Sequence, residues 1–85
     1  MIVLNYIVTE EQGLHATPSG MLVKITSKMK SKITVKQGER KEDARNIFGL
    51  MALRIRQGQE IQVLIEGETE MEDAKTIKEF LEENL

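Results

Sequence analysis

The spacing of the apolar residues changes near residue 15, and this change constrains the fold more than any other feature. Before it, from Ile2 to Thr9, apolar and β-branched side chains follow one another as in a β-strand. After it, apolar residues recur every three or four positions, which predicts an amphipathic helix with the stripe Pro18, Leu22, Ile25 and Met29. Because the first strand is apolar on both faces, we expect it at the centre of a sheet.

The same spacing rules place five further elements along the chain. They are strands at 32–36 and 40–43, a helix at 46–53, a strand at 60–66 and a helix after residue 69. Asn46 is expected to cap the second helix, and Thr69 with Glu72 has the spacing of a capping box for the third. The order strand-helix-strand-strand-helix-strand-helix predicts an α+β open-faced β-sandwich. Its four-stranded antiparallel sheet would be covered on one face by three helices, as a single domain over residues 1–85.

Composition argues against several functional classes. The chain has no cysteine and one histidine, so we expect no disulfide, no metal site and no cofactor. A net charge of -2 and only three aromatic residues give no footprint for nucleic acid. The sequence has neither the pattern of a signal peptide nor an apolar run long enough to span a bilayer. A cytoplasmic protein without membrane insertion is therefore expected.

The single histidine, His15, lies in the stretch GLHATPSG at residues 13–20. If the first helix begins at Ala16, His15 lies at its N-cap, where unpaired N–H groups and the helix dipole favour an anion. The dipole also favours a neutral imidazole, which is a nucleophile near neutral pH. A phosphoryl group on the ring would then meet the amides of Ala16 and Thr17. A solvated loop histidine is the commoner arrangement, so the local sequence leaves both interpretations open.

These residues resemble the HPr family, the histidine-containing phosphocarrier proteins of the bacterial phosphoenolpyruvate-dependent sugar phosphotransferase system. The family pattern is Gly, Leu or Ile, His, Ala, Arg, Pro, and the chain matches it at residues 13–16 and at Pro18. A second block, NIFGLMAL at 46–53, is similar to the family's Ser-Ile-Met-Gly-Val-Met-Ser-Leu, and QGQEI at 57–61 resembles the turn and strand that follow. The resemblance covers the whole chain.

The resemblance implies a phosphoryl relay. In the family, enzyme I takes a phosphoryl group from phosphoenolpyruvate and passes it to the histidine, which delivers it to enzyme II proteins. By that resemblance His15 is the acceptor, through its Nδ1 atom. The chain would be a substrate of two catalysts and not an enzyme that turns over a small molecule. We expect it to be a monomer.

The second predicted helix has two apolar sides, more than a small sheet buries. Leu50 and Leu53 form one side, and the other consists of Ile47, Phe48 and Met51. The residues alone leave open whether all five belong to the core. The resemblance implies that the second set docks enzyme I and enzyme II domains. The residues expected to border this surface, on the first helix, are Gly20, Met21 and Lys24.

Thr17 departs from the family pattern, because it stands where the family has an arginine that neutralises the phosphate. Replacing a charged hydrogen bond by a neutral one weakens the interaction by about 1 to 2 kcal/mol, or roughly tenfold. The cationic residues that could compensate are Lys24, Arg45, Arg54 and Arg56. A rival hypothesis follows: a regulatory or interaction protein that keeps the family's fold but whose phosphate transfer is slow or vestigial.

Asn46 is the second departure. It stands where many Gram-positive members of the family carry a serine that a dedicated kinase phosphorylates. Asparagine caps a helix as well as serine does, but its side chain has no hydroxyl to accept a phosphoryl group. The resemblance therefore predicts that this regulatory switch is absent.

Overall fold

The structure is a computed structural model that describes residues 1–85. It contains four strands and three helices in the predicted order. Their bounds are β1 Ile2–Ile7, α1 Ala16–Thr26, β2 Lys32–Gln37, β3 Arg40–Asp43, α2 Ile47–Ala52, β4 Glu60–Glu66 and α3 Glu70–Asn84. No helix in the structure combines the length and the apolar character needed to cross a lipid bilayer.

The four strands form one antiparallel sheet in the order β1-β4-β2-β3. The polar strand β3 lies at one edge, where a strand without apolar residues can face solvent. The expectation that the first strand is central was wrong, because β1 forms the other edge and pairs only with β4. Its second apolar parity faces outward instead of packing against a second layer, and Val3 and Ile7 are exposed there.

One face of the sheet is buried beneath the helices, which confirms the open-faced β-sandwich. Along β4, Ile61, Val63 and Ile65 alternate with partly exposed residues, and all three lie in the core. The helices contribute one apolar stripe each, including Leu22, Leu50, Leu53, Ile77 and Leu81. Packing these stripes on the sheet gives a single cluster of 17 buried apolar residues, so the domain has one core.

The start of α3 differs from the predicted capping box. The Thr69 hydroxyl donates to Asp73 Oδ2 at 2.7 Å and caps no backbone N–H, while Glu72 is exposed. The Asp73 carboxylate also accepts the Ser31 N–H at 3.3 Å, which ties α3 to the loop before β2. A hydrogen bond to a carboxylate is stronger than one to a neutral group, so the buried Asp73 captures the hydroxyl.

Candidate functional site

His15 is the N-cap of α1, as the sequence predicts, but its side chain is not used for capping. Its backbone is extended and its carbonyl accepts the Ser19 N–H at 3.0 Å, which closes the first turn. The buried Ser19 hydroxyl turns back to the Leu14 carbonyl at 3.1 Å and fixes the approach to the helix. The imidazole, with 33% of its side-chain surface exposed, is thus positioned by the backbone while its ring remains accessible.

The first turn of α1 offers N–H groups to an anion beside this ring. The N–H groups of Ala16 and Thr17 precede the first intrahelical hydrogen bond, and both residues are exposed. The first turn contains no acidic residue that would compete for them. The helix dipole adds partial positive charge at this end, so the position next to His15 favours negatively charged groups.

The loop that carries His15 is held against the segment that follows α2. Leu14 donates its N–H to the Ile55 carbonyl at 3.1 Å. At Gly13 the backbone has φ +65°, and a Cβ there would overlap the Ile55 carbonyl oxygen. Only glycine allows so close an approach, and the approach brings His15 beside residues that are about forty positions away in the sequence.

An open depression of about 280 Å³ lies where these two segments meet. We call it the His15 depression. The lining residues relevant to binding or recognition are His15, Ala16, Met51, Arg54 and Arg56. It therefore combines a nucleophile, a helix amino terminus and two cationic side chains. Larger or comparable hollows elsewhere on the surface contain no histidine, because the chain has only one.

The structure separates the four cationic candidates for compensation of Thr17. Arg45 is engaged elsewhere, since its Nη2 donates to the Met29 and Ser31 carbonyls at 2.7 and 2.9 Å. Lys24 is exposed on α1 but does not line the His15 depression. Arg54 and Arg56 both line it. The sequence names them but gives no means of choosing them, because the choice depends on the tertiary contact at Gly13.

Glu10, which no sequence pattern singles out, also lies beside His15. The His15 Nε2 atom lies 4.0 Å from Glu10 Oε1, and the same oxygen accepts the Gln12 N–H at 3.2 Å. Glu10 is itself anchored by its backbone N–H, which donates to the Leu85 carbonyl at 2.7 Å. Glu10 is the carboxylate within ion-pair distance of the ring, and it lies on the Nε2 side. No local pattern predicts this pairing, which arises from the turn before α1.

The second helix presents the apolar side that the sequence predicts. Leu50 and Leu53 are buried in the core, whereas Phe48 and Met51 have 82% and 40% of their surface exposed and Ile47 is half-buried. We call Ile47, Phe48 and Met51 the α2 surface.

The first helix lies beside this surface. A Cβ built on Gly20 would lie 3.7 Å from the Ile47 Cδ1 atom, so α1 and α2 are in close contact at this point. Met21 and Lys24 are exposed on the same helix. Met51 belongs both to the α2 surface and to the His15 depression, so the two are continuous.

Asn46 stands where the resemblance places a regulatory serine, and in this chain it has a structural role. Asn46 is the N-cap of α2, and its Oδ1 accepts the Gly49 N–H at 3.1 Å. This confirms the predicted cap. The side chain satisfies a backbone donor at the start of the helix, a role for which no hydroxyl is needed.

Fold and site together define a class of protein: a small open-faced β-sandwich in which an accessible histidine opens a helix beside an apolar surface. Comparisons with known proteins agree with this class. The family model described as the PTS HPr component phosphorylation site matches residues 3–83. The chain therefore belongs to the HPr family.

Individual relatives match along almost the whole chain. The phosphocarrier protein HPr of Xylella fastidiosa is 37% identical over 82 residues, which cover 96% of this chain and 92% of the relative. That of Mycoplasma capricolum is 33% identical over 81 residues, or 95% and 91% of the two chains. The crystal structure of HPr-C-His from Thermoanaerobacter tengcongensis superposes with a TM-score of 0.90 at 32% identity, covering 96% and 92%.

Proposed function

We propose that this protein is a phosphocarrier of the sugar phosphotransferase system, which accepts a phosphoryl group on His15 from enzyme I and delivers it to enzyme II proteins. The observation that carries this proposal is the accessible imidazole at the amino terminus of α1, a ring that its own backbone positions but does not use. The protein is then a substrate of both partners and catalyses no reaction of a small molecule. The proposal includes a cytoplasmic location and a monomeric state.

In the proposed step, the Nδ1 lone pair of neutral His15 attacks the phosphorus atom. The Nδ1–P bond forms while the bond from phosphorus to the donor breaks, and the donor keeps that electron pair. The proton remains on Nε2, the side of the ring that faces Glu10 at 4.0 Å. Delivery to enzyme II is the same exchange in reverse, with the imidazole as leaving group.

The first turn of α1 supplies hydrogen bonds to the transferred group. The phosphoryl oxygens would accept from the N–H groups of Ala16 and Thr17 and from the Thr17 hydroxyl. Pro18 has no N–H, so the set of backbone donors ends at Thr17. Preorganised donors of this kind stabilise charge without reorganising during the reaction.

Partners would dock on the α2 surface. Phe48 is the main apolar contact because it is the most exposed of the large apolar residues. Gly20, Met21 and Lys24 would extend the contact onto α1. Since Met51 lines the His15 depression as well, a partner seated here covers the phosphorylated ring. Asn46 gives the kinase-dependent switch no phosphate acceptor.

Incubation with phosphoenolpyruvate and enzyme I from the same organism tests this function. We expect intact-mass spectrometry to detect one acid-labile phosphoryl group, and ³¹P and ¹⁵N NMR to place it on Nδ1. The variant His15→Ala should gain none, and circular dichroism and binding to enzyme I serve as controls that it still folds and docks. A wild-type protein that binds enzyme I yet stays unphosphorylated over hours would support the rival role in regulation or protein interaction.

A further inference from the structure

We propose that Arg54 and Arg56 form a cationic wall that binds the phosphoryl group on His15 and replaces the charge missing at Thr17. This inference rests on the proposed function, because it assigns the phosphate-binding side chains of that same site. Both arginines line the depression to which His15 and Ala16 also contribute. The phosphoryl group would thus meet the helix amides and two guanidinium groups in one depression.

The arginines of this chain fall into two groups. Arg40 donates to the Ala52 and Leu53 carbonyls at 2.6 and 3.5 Å, where α2 ends, and Arg45 donates to carbonyls of the loop before β2. Each therefore satisfies backbone acceptors. The side chains of Arg54 and Arg56 make no hydrogen bond and no ion pair within the chain. The two uncommitted arginines are also the two that line the His15 depression.

The backbone of Arg54 indicates that an arginine at this position does not serve the fold. Arg54 has φ +52°, and it is the only residue other than glycine with a positive φ. It follows Leu53, the C-cap of α2, at the position where helices commonly end with glycine in this conformation. A side chain here destabilises the native state relative to glycine.

Charge around the depression is unbalanced in a way that a phosphoryl dianion would correct. Two arginines, separated by one residue in the sequence, line the same depression, and neither has an acidic partner within ion-pair distance. The neighbouring carboxylate, Glu10, lies on the Nε2 side of the imidazole. A dianion on Nδ1 would be attracted to both arginines, and a guanidinium offers paired N–H groups that match phosphate oxygens.

The inference is tested by measuring transfer and phosphate binding in Arg54→Gly, Arg56→Gln and the double variant. Lys78→Gln, an exposed charge on α3 away from the site, is the control for net charge. We expect the rate of phosphorylation by enzyme I to fall about tenfold in each single variant and further in the double variant, with no change in the control. Thr17→Arg should restore much of the rate in the double variant but add little to the wild type.

A second measurement separates phosphate binding from partner docking. Titration with inorganic phosphate, followed through the amide resonances of Ala16 and Thr17, involves no partner protein. The double variant should bind phosphate about tenfold more weakly. Equal phosphate affinity in wild type and double variant, with slower transfer from enzyme I, would assign the arginines to docking and overturn the proposal.

Thermal unfolding provides the third readout. Because glycine adopts a positive φ freely, Arg54→Gly should raise the unfolding midpoint by roughly 4 to 8 °C while it slows transfer. A variant that loses both stability and transfer would show that Arg54 supports the fold, against the proposal. These outcomes can be told apart from a failure of the proposed function. If the wild type is never phosphorylated by enzyme I, the proposed function is wrong, but the titration with inorganic phosphate still tests whether the two arginines bind phosphate.

Discussion

Two clusters of charged side chains in this small protein differ in whether their polar groups have partners within the chain. Around Asp73, every polar group has a partner: its carboxylate accepts from Ser31 and Thr69, and Arg45 binds the carbonyls of the loop it faces. Around His15, the imidazole caps nothing and two arginines have no partner. The first cluster stabilises the fold. In the second, the imidazole and the two guanidinium groups remain free to bind a ligand.

The presence or absence of partners within the chain distinguishes a charged group that stabilises the fold from one that is available for function. Partners within the chain fix Asp73 in one arrangement, and burial makes each of those hydrogen bonds important to stability. The His15 depression keeps charge exposed and unpaired, although this arrangement destabilises the folded state. We therefore expect substitutions in the first cluster to lower stability without changing the site, and substitutions near His15 to impair function without lowering stability.

The largest effect should follow from Asp73→Ala. Removing the carboxylate leaves the buried Ser31 N–H without its acceptor, and an unsatisfied buried donor costs about 1 to 3 kcal/mol. Together with the lost Thr69 hydrogen bond, we expect a decrease of about 3 kcal/mol in the free energy of unfolding, measured with urea. Glu72 is an exposed carboxylate of the same helix, so Glu72→Ala should leave the free energy of unfolding almost unchanged. A decrease comparable to that of Asp73→Ala would instead support the predicted capping box.

Phe48→Ala comes next and concerns the other region. Truncating a central aromatic contact of an interface weakens binding by about 2 kcal/mol, so the dissociation constant for enzyme I should rise about thirtyfold. Titration calorimetry measures it. Met71→Ala is the matched control, because Met71 on α3 is 81% exposed against 82% for Phe48. Equal losses in the two variants, or a loss of stability in Phe48→Ala, would contradict the assignment of the α2 surface.

The smallest effect is a dependence of stability on pH. Burial acts to raise the pKa of Asp73, but hydrogen bonds from Ser31 and Thr69 outweigh it and hold the pKa below its ordinary value of 3.8. A group whose pKa is lower in the folded state stabilises that state above its unfolded pKa. This stabilisation is lost as the pH falls below about 4 and through the lowered pKa of Asp73.

Urea unfolding of wild type and Asp73→Asn across this range measures the effect. Glu70 contributes in the same direction, because the Gly67 N–H and the amino terminus lower its pKa, and this contribution persists in the variant. The wild type should therefore lose more stability on acidification than Asp73→Asn does. Parallel pH profiles would show that the Asp73 cluster does not act through its charge.

The sequence predicts element types well, and the errors have physical causes. Alternation of apolar residues identifies β1, but it does not say which strand pairs with it, and the outer parity with Val3 and Ile7 resembled a buried face. The capping box failed because Asp73, four residues after Thr69, is a stronger acceptor for the hydroxyl. The strand order depends on pairing between distant segments, and the position of Asp73 depends on its contact with Ser31, which is 42 residues away.

The site was predictable to the same degree. The cap position of His15 and the apolar side of α2 follow from local periodicity. Arg54 could have been singled out, since an arginine directly after the last turn of a helix occupies a position that favours glycine. The proximity of Arg54 to His15 could not have been predicted, because it depends on the contact between Gly13 and Ile55. Glu10 had no sequence pattern at all.

Met51 links recognition to chemistry through its place in both the α2 surface and the wall of the His15 depression. If the proposed function holds, a partner that contacts Phe48 would also cover the imidazole and displace bulk water from the phosphorus atom during transfer. The phosphoramidate bond would then be open to hydrolysis while the protein diffuses between partners and protected while it is bound. The hydrolytic lifetime of the free phosphorylated protein would thus limit the distance over which it can deliver the phosphoryl group.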